Sequence, residues 1–469
     1  MAVTAGLKDK KIVVLGAQKG AIEIVKYLIK KGARVSLVDQ GAAELIQPQL
    51  DEKLPAGKYE AFFGNEIDPK VFVDVERIIV SPNFPTNFAA IEVARSAGVI
   101  IETELDFVST HLAAPLLAIV GTKGKSTTAS LIRAMLKKSG KDVFANIEAP
   151  LASALNLSKA PDMVIGTISP LSLEGCKALA PDYVVFTNVY DDHLDRYTTA
   201  EQYQNLLKEI FRNATEETIS VLNAGDATLL NWMAMVPGKK LLFSAAVPEG
   251  FSGAWSTRTD LHVRITTGGV QKDHQASLKN YKMRGVHNRE NLMAAALTAM
   301  TLGAKFEDVQ HVIDNLSTLT GRLEFVKRIN SVAFYNDSAA TVPHAVTISL
   351  KAFAEPIILI AGGRDKGLDF TPLAPLIRQR VKNMILVGEA KEKVNRMIGD
   401  FTETFLVGTF EEAVLLAYQK SRSGDVILFS PGCAGFEEYH TKASELSEEV
   451  DPFRVLISQI AQPRRLNVL

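Results

Sequence analysis

Cysteine is scarce in this chain: two residues, Cys176 and Cys433, in 469. Two thiols without a Cys-x-x-Cys pair build neither a disulfide framework nor a zinc site, and they fit inert buried groups in a reducing compartment. An excess of either charge is also missing. Fifty-two Lys and Arg stand against 53 Asp and Glu, a formal net charge of −1. That balance excludes a general attraction to nucleic acid or acidic membranes, while leaving room for a local anion site that uses few charges. No window approaches the roughly 20 apolar residues of a membrane span. No basic stretch and apolar run precede the strand-like Lys11-Ile-Val-Val-Leu-Gly16, so no secretory leader is expected. Solenoids are excluded, because there is no short repeat. The expectation is a soluble, cytoplasmic, monomeric chain that neither binds nucleic acid nor inserts into a membrane.

What is present is an ordinary globular balance, 47% hydrophobic and 22% charged, enough to build several cores. Short β-branched runs alternate with helical patterns, the signature of α/β units with parallel strands. Ile12–Leu15 reads as a strand, Ile22, Val25, Leu28 and Ile29 form a helical stripe closed by Gly32, and Arg34–Asp39 and Arg77–Val80 follow as a second and a third strand. A new unit opens at Pro115 with strand Leu116–Val120 and carries another strand over 182–189. The polar stretch 250–280 reads as hairpin or loop. A last unit has strands over 332–335, 357–361, 384–387 and 426–429. The expected architecture is three α/β domains in a row, over residues 1–112, 113–318 and 319–469.

The sharpest local signal is Gly121-Thr122-Lys123-Gly124-Lys125-Ser126-Thr127, set between a strand and a helix. Glycines let backbone N–H groups close on phosphate oxygens, and the helix N-terminus adds positive potential. Lys125 would reach the β/γ-phosphates and the Ser126 hydroxyl would ligate Mg²⁺. As a bare pattern the segment could be a surface turn with two lysines, but strand, loop, Gly-Lys-Ser and helix all fall in order. The general nucleotide pattern wants glycine at 119, which is Ile119 here, so the loop is a compact variant.

That variant resembles the loop of the Mur ligases and folylpolyglutamate synthases, and further segments extend the resemblance to the Mur ligases. Thr187-Asn188-Val-Tyr-Asp191-Asp192-His193-Leu-Asp195-Arg196 is similar to a family segment whose histidine, here His193, binds a second Mg²⁺. Lys208 stands where the family carries a carbamylated lysine that would join the same metal. Gly285-Val286-His287-Asn288-Arg289-Glu290-Asn291 resembles the adenine-contacting motif, which implies Asn288 and Asn291. Arg322 matches an arginine of the nucleotide site, and Asp337 matches an acceptor for the ribose hydroxyls. Lys366, in Gly362-Gly363-Arg364-Asp365-Lys366, and Thr341 match residues that hold D-glutamate in the D-glutamate-adding members. Asp39, Ser81 and Asn146 stand where the family contacts the UDP-sugar substrate. Some positions depart from the pattern. Thr167 replaces a Mg²⁺-binding glutamate, Ala339 a lysine and Gly435 a serine, and the 16–20 loop lacks Gly-x-Gly-x-x-Gly.

The resemblance implies Rossmann-like outer domains around a central P-loop ATPase-like domain. It implies ATP and Mg²⁺ as cofactors and UDP-N-acetylmuramoyl-L-alanine and D-glutamate as substrates. Lys125, His193 and Lys208 would be the catalytic set. The carboxylate would attack the γ-phosphate of ATP, and the D-glutamate amine would then displace phosphate from the acyl phosphate. Alternatives are a related ligase with a different amino acid, a folylpolyglutamate-type ligase, a non-catalytic binder of nucleotide or UDP sugar, and a nicotinamide dehydrogenase. The last is disfavoured by Gln18 and Gly20.

Overall fold

The structure, a computed structural model, describes residues 6–65, 67–82, 84–85, 88–190, 196–197, 199–245, 247, 251–267, 269–316, 321–365, 367–433 and 451–461. His193, Lys366, Gly435 and the expected domain boundary at 318 lie outside the described residues. The chain forms two compact units, residues 1–279 with 290–314, and residues 280–289 with 315–469. No helix among the described residues is long and apolar enough to cross a membrane.

In the first unit, β1 (Lys11–Leu15), β2 (Arg34–Asp39), β3 (Tyr59–Phe63), β4 (Arg77–Val80) and β5 (Ile100–Thr103) pair in parallel in the order β3-β2-β1-β4-β5. Arg77–Val80 is thus the fourth strand, not the third, because Tyr59–Phe63 precedes it. Helix Lys19–Lys30 buries Ile22, Ile24, Val25 and Leu28 on this sheet. Gly32 ends it at φ +80, where a side chain would be strained.

The second sheet of this unit collects β6 (Leu116–Val120), β7 (Val143–Ala145), β8 (Met163–Thr167), β9 (Tyr183–Phe186), β10 (Ile219–Asn223), β11 (Lys239–Phe243), β12 (Gly253–Ser256), β13 (Asp260–Thr267) and β14 (Val270–Ser277). Its order is β14-β13-β12-β11-β10-β9-β6-β8-β7. The β12–β13 and β13–β14 pairings are antiparallel, so the polar 250–280 stretch forms a hairpin edge on a parallel sheet. One apolar cluster runs from Ile12 through Phe107 and Leu151 to Leu242, joining both sheets.

In the second unit, β15 (Glu324–Ile329), β16 (Val332–Asn336), β17 (Ile357–Gly362), β18 (Val381–Val387), β19 (Glu403–Leu406) and β20 (Val426–Phe429) are ordered β15-β16-β20-β17-β18-β19. All pairings are parallel except β15 with β16. Each sheet reverses its strand order once near its centre, and ligands of open α/β sheets bind beyond the carboxyl ends of the strands at such points. The reversals fall at β1/β4, at β6/β9 and beside β20.

Candidate functional site

The loop 121–124 leaves β6 at its reversal point and packs on the chain leaving β9. Gly121 (φ +132) and Gly124 (φ +89) are required twice over. A Cβ on Gly121 would lie 2.2 Å from Thr187 Oγ1, and one on Gly124 would lie 2.2 Å from Asn291 Oδ1. The loop is held from below. The Thr122 N–H donates to Asn188 O at 3.0 Å, the Lys123 N–H donates to Asn188 Oδ1 at 2.9 Å, and Thr187 Oγ1 donates to Lys123 O at 2.7 Å. Thr122 Oγ1 accepts from the Tyr190 N–H at 3.0 Å and meets the Tyr203 hydroxyl at 3.1 Å. Backbone rigidity of this kind keeps a loop open for an anion instead of letting it collapse.

Helix Lys125–Lys138 begins at the loop's end with no acidic side chain in its first turn and no side-chain cap. Its N-terminal potential is therefore offered to an anion. Lys125 Nζ folds back to Gly121 O (2.7 Å) and Thr122 O (3.2 Å). Ser126 is partly exposed on the first turn and Thr127 is buried beneath it. Asn291 is buried and its Oδ1 accepts from Thr128 Oγ1 at 3.3 Å, which ties it to this helix.

At the carboxyl ends of β7 and β8, Asn146 bonds the Thr167 backbone in both directions. Its Nδ2 donates to Thr167 O at 3.3 Å, and its Oδ1 accepts the Thr167 N–H at 2.6 Å. Asn146, anticipated as a substrate contact, is thereby oriented by Thr167, with one amide N–H and one oxygen lone pair left over. Lys208 ends helix Ala200–Lys208 with its ammonium on Asn205 Oδ1 (3.1 Å) and 4.9 Å from the Trp232 ring centre. That is a cation's environment. Among the described residues no group of three or more His, Cys, Asp or Glu is placed to hold a metal ion. A Mg²⁺ bound through substrate phosphates needs few protein oxygens, and the Ser126 hydroxyl fits that role. Thr167 and Lys208, as they stand, supply no anionic oxygen for a second ion.

The β1/β4 mouth carries Asp39 and Ser81. Asp39 accepts the N–H groups of Ala17 (2.7 Å) and Gly41 (2.8 Å), shaping the loop after β1. Ser81 is buried and donates to Glu104 Oε2 at 3.2 Å. Sequence reasoning missed Glu104. Its carboxylate lies where a Cβ on Gly20 would begin, 1.9 Å from Oε1. Burial pushes its carboxyl up to about 7, against the Ser81 hydrogen bond that lowers it.

In the second unit, Asp337 is buried at the end of β16. Its Oδ2 accepts from Ser349 and from Ser430 (2.8 Å), and its Oδ1 accepts the Leu323 N–H (3.1 Å). Three of roughly four acceptor positions on the carboxylate are used. Burial still raises its pKa to about 6. Arg322 is exposed and Thr341 partly buried nearby in sequence. Asn288 is buried, and its Nδ2 donates to Arg284 O at 2.7 Å.

Family models match along most of the chain: Mur ligase MurD-like, N-terminal domain over residues 10–102, Mur ligase middle domain over 119–299, and Mur ligase, glutamate ligase domain over 321–433. The UDP-N-acetylmuramoylalanine–D-glutamate ligase of Bdellovibrio bacteriovorus is 40% identical over 462 residues, covering 96% of this chain and 98% of that protein. The enzyme of the same name from Geotalea daltonii is 32% identical over 463 residues, covering 97% and 98%. Among solved structures, the MurF ligase of Thermotoga maritima in complex with ADP matches with a TM-score of 0.58 at 15% identity, covering 98% of each chain. MurC of the same organism matches with a TM-score of 0.56 at 18% identity, covering 90% of this chain and 95% of that one.

Proposed function

Because this chain belongs to the Mur ligase family, and is thereby an ATP-dependent amide-bond-forming ligase, we propose that it joins D-glutamate to UDP-N-acetylmuramoyl-L-alanine in peptidoglycan precursor synthesis. The observation that carries the reading is the loop 121–126, braced by Thr187 and Asn188 at the β6/β9 reversal point and opening into an uncapped helix N-terminus. It is a seat for a triphosphate. The enzyme works as a monomer in the cytoplasm, with domains over 1–112, 113–318 and 319–469.

The muramoyl-alanine carboxylate attacks the γ-phosphorus of ATP and ADP leaves, giving an acyl phosphate. Lys125 releases its loop carbonyls for phosphoryl oxygens and, with the 124–126 amides, spreads the negative charge of the transition state. The D-glutamate amine then attacks the acyl carbon and phosphate departs. No protein nucleophile is needed. Asn288 and Asn291 hold the adenine, Arg322 and Asp337 the rest of the nucleoside, Asp39, Ser81 and Asn146 the UDP sugar, and Thr341 and Lys366 the D-glutamate. The Ser126 hydroxyl would hold a Mg²⁺ ion, which would neutralise phosphate charge when bound. His193 and, once carbamylated, Lys208 would hold a second ion.

The test is phosphate release from ATP with Mg²⁺, UDP-N-acetylmuramoyl-L-alanine and a panel of amino acids. Release with D-glutamate alone is expected. Release only with another amino acid moves the chain to a different specificity, and silence with every one refutes the reading.

A further inference from the structure

We propose that Arg284 is a positioning residue for the nucleoside half of ATP, fastening the segment that carries Asn288 to the strand that leads into Asp337. The inference rests on the assignment of Asn288 to adenine and of Asp337 to ribose, and concerns a residue that belongs to neither set.

Every contact falls within the second unit. Arg284 is bound at both ends. Its backbone oxygen accepts Asn288 Nδ2 at 2.7 Å, which fixes the orientation of that amide. The Tyr281 hydroxyl donates to the Asn288 carbonyl at 2.8 Å from the other side. Gly285, at φ +95, makes the turn between Arg284 and helix Val286–Thr301, and a Cβ there would meet the His287 ring at 2.5 Å. At the far end of the side chain, the guanidinium reaches Glu355 Oε1 at 2.9 Å and Oε2 at 3.0 Å. It also lies 5.3 Å from the ring centres of both Tyr335 and Phe353, which meet edge-on 4.8 Å apart. Tyr335 is buried in β16, immediately before Asn336 and Asp337.

One side chain therefore sets the spacing between the residue assigned to the base and the residue assigned to the sugar. Arginine suits the task. A planar guanidinium can face rings and bond a carboxylate at once, whereas an ammonium is a point charge without that geometry. About a third of each charged side chain is exposed (32% for Arg284, 35% for Glu355), so the ion pair alone adds little to stability. Its consequence is placement.

The experiment is steady-state kinetics on the full chain with Arg284→Met, Arg284→Lys, Glu355→Gln and Asn288→Ala. Arg284→Met keeps most of the apolar contact and removes the fork. Its KM for ATP is expected to rise about tenfold, the equivalent of 1.4 kcal/mol. Its kcat and its KM for both other substrates should stay near wild type, and its preference for ATP over GTP should shrink. Glu355→Gln should show the same split, smaller, and Arg284→Lys should recover only part of the loss. Equal changes in the KM of all three substrates, or a lower melting temperature with no ATP-specific effect, would mean a merely structural residue and overturns the proposal. So does an unchanged KM for ATP in Arg284→Met while Asn288→Ala raises it. If Asn288→Ala itself leaves that KM untouched, the adenine assignment is wrong and this inference falls with it.

Discussion

Gly124 has the left-handed backbone of a helix entrance and the Asn291 amide oxygen where a side chain would start. Alanine there meets two penalties at once. The backbone costs about 1–2 kcal/mol, and Asn291 must move off Thr128. Gly124→Ala should lose at least about tenfold in ATP affinity by calorimetric titration, and an unaltered affinity would remove the loop from the nucleotide site. Glu104 provides a prediction in pH. Its folded pKa of about 7 lies above the ordinary 4.5, so between these values the native chain holds a proton that the unfolded chain has released. Stability from this group is full below pH 4.5 and declines as pH rises to about 7. Glu104→Gln never ionises, so its urea midpoint should match wild type near pH 4.5 and exceed it increasingly toward pH 8. A constant difference across that range would contradict the burial argument. Linear sequence does not single out Glu104 or Arg284. An acidic residue in a helix's first turn is the common response to the helix dipole. Only the folded chain sets Gly20 against one and two aromatic rings against the other.

Some strands interior to a sheet were legible as elements; the interior Met163–Thr167, Ile219–Asn223 and Lys239–Phe243 and the rim strands of the first sheet were not. Ile12–Leu15, Leu116–Val120 and the four strands expected near the end of the chain are continuous apolar runs because both faces are covered. Tyr59–Phe63 and Ile100–Thr103 are the two edges of the first sheet, half exposed along their length, and their mixed composition hides them. Helix Glu104–His111 shows how one element binds two sheets together. Thr103 caps it, and the buried Asp106 accepts the N–H groups of Lys177 (2.9 Å) and Ala178 (2.7 Å) and the Cys176 thiol (2.9 Å). Asp106→Ala strands those donors in the interior and should cost about 3 kcal/mol, read from urea unfolding. A loss below about 0.5 kcal/mol would mean that water replaces the carboxylate.

For the whole molecule, the sequence is enough to read α/β bodies in a row and a phosphate loop opening the central one. It says nothing of how the first two are bonded to each other, because that depends on contacts between residues far apart in the chain. A common apolar cluster, the Asp106 contacts and the Asn156 amide on Glu23 make residues 6–279 with 290–314 one body. Scanning calorimetry should therefore resolve two unfolding transitions, one for each compact unit. Three separate transitions would show that the five-stranded and nine-stranded sheets melt independently.

The Cys176 thiol, 5% exposed and pushed up to about 12 by burial and by Asp106, is almost wholly in its unreactive protonated form at neutral pH. Alkylating reagents and mild oxidants should pass it by in the native protein and label it only once helix Glu104–His111 lifts away. The chain thus carries its own chemical clock: the rate at which a maleimide marks this one sulfur times how often the five-stranded and nine-stranded sheets come apart.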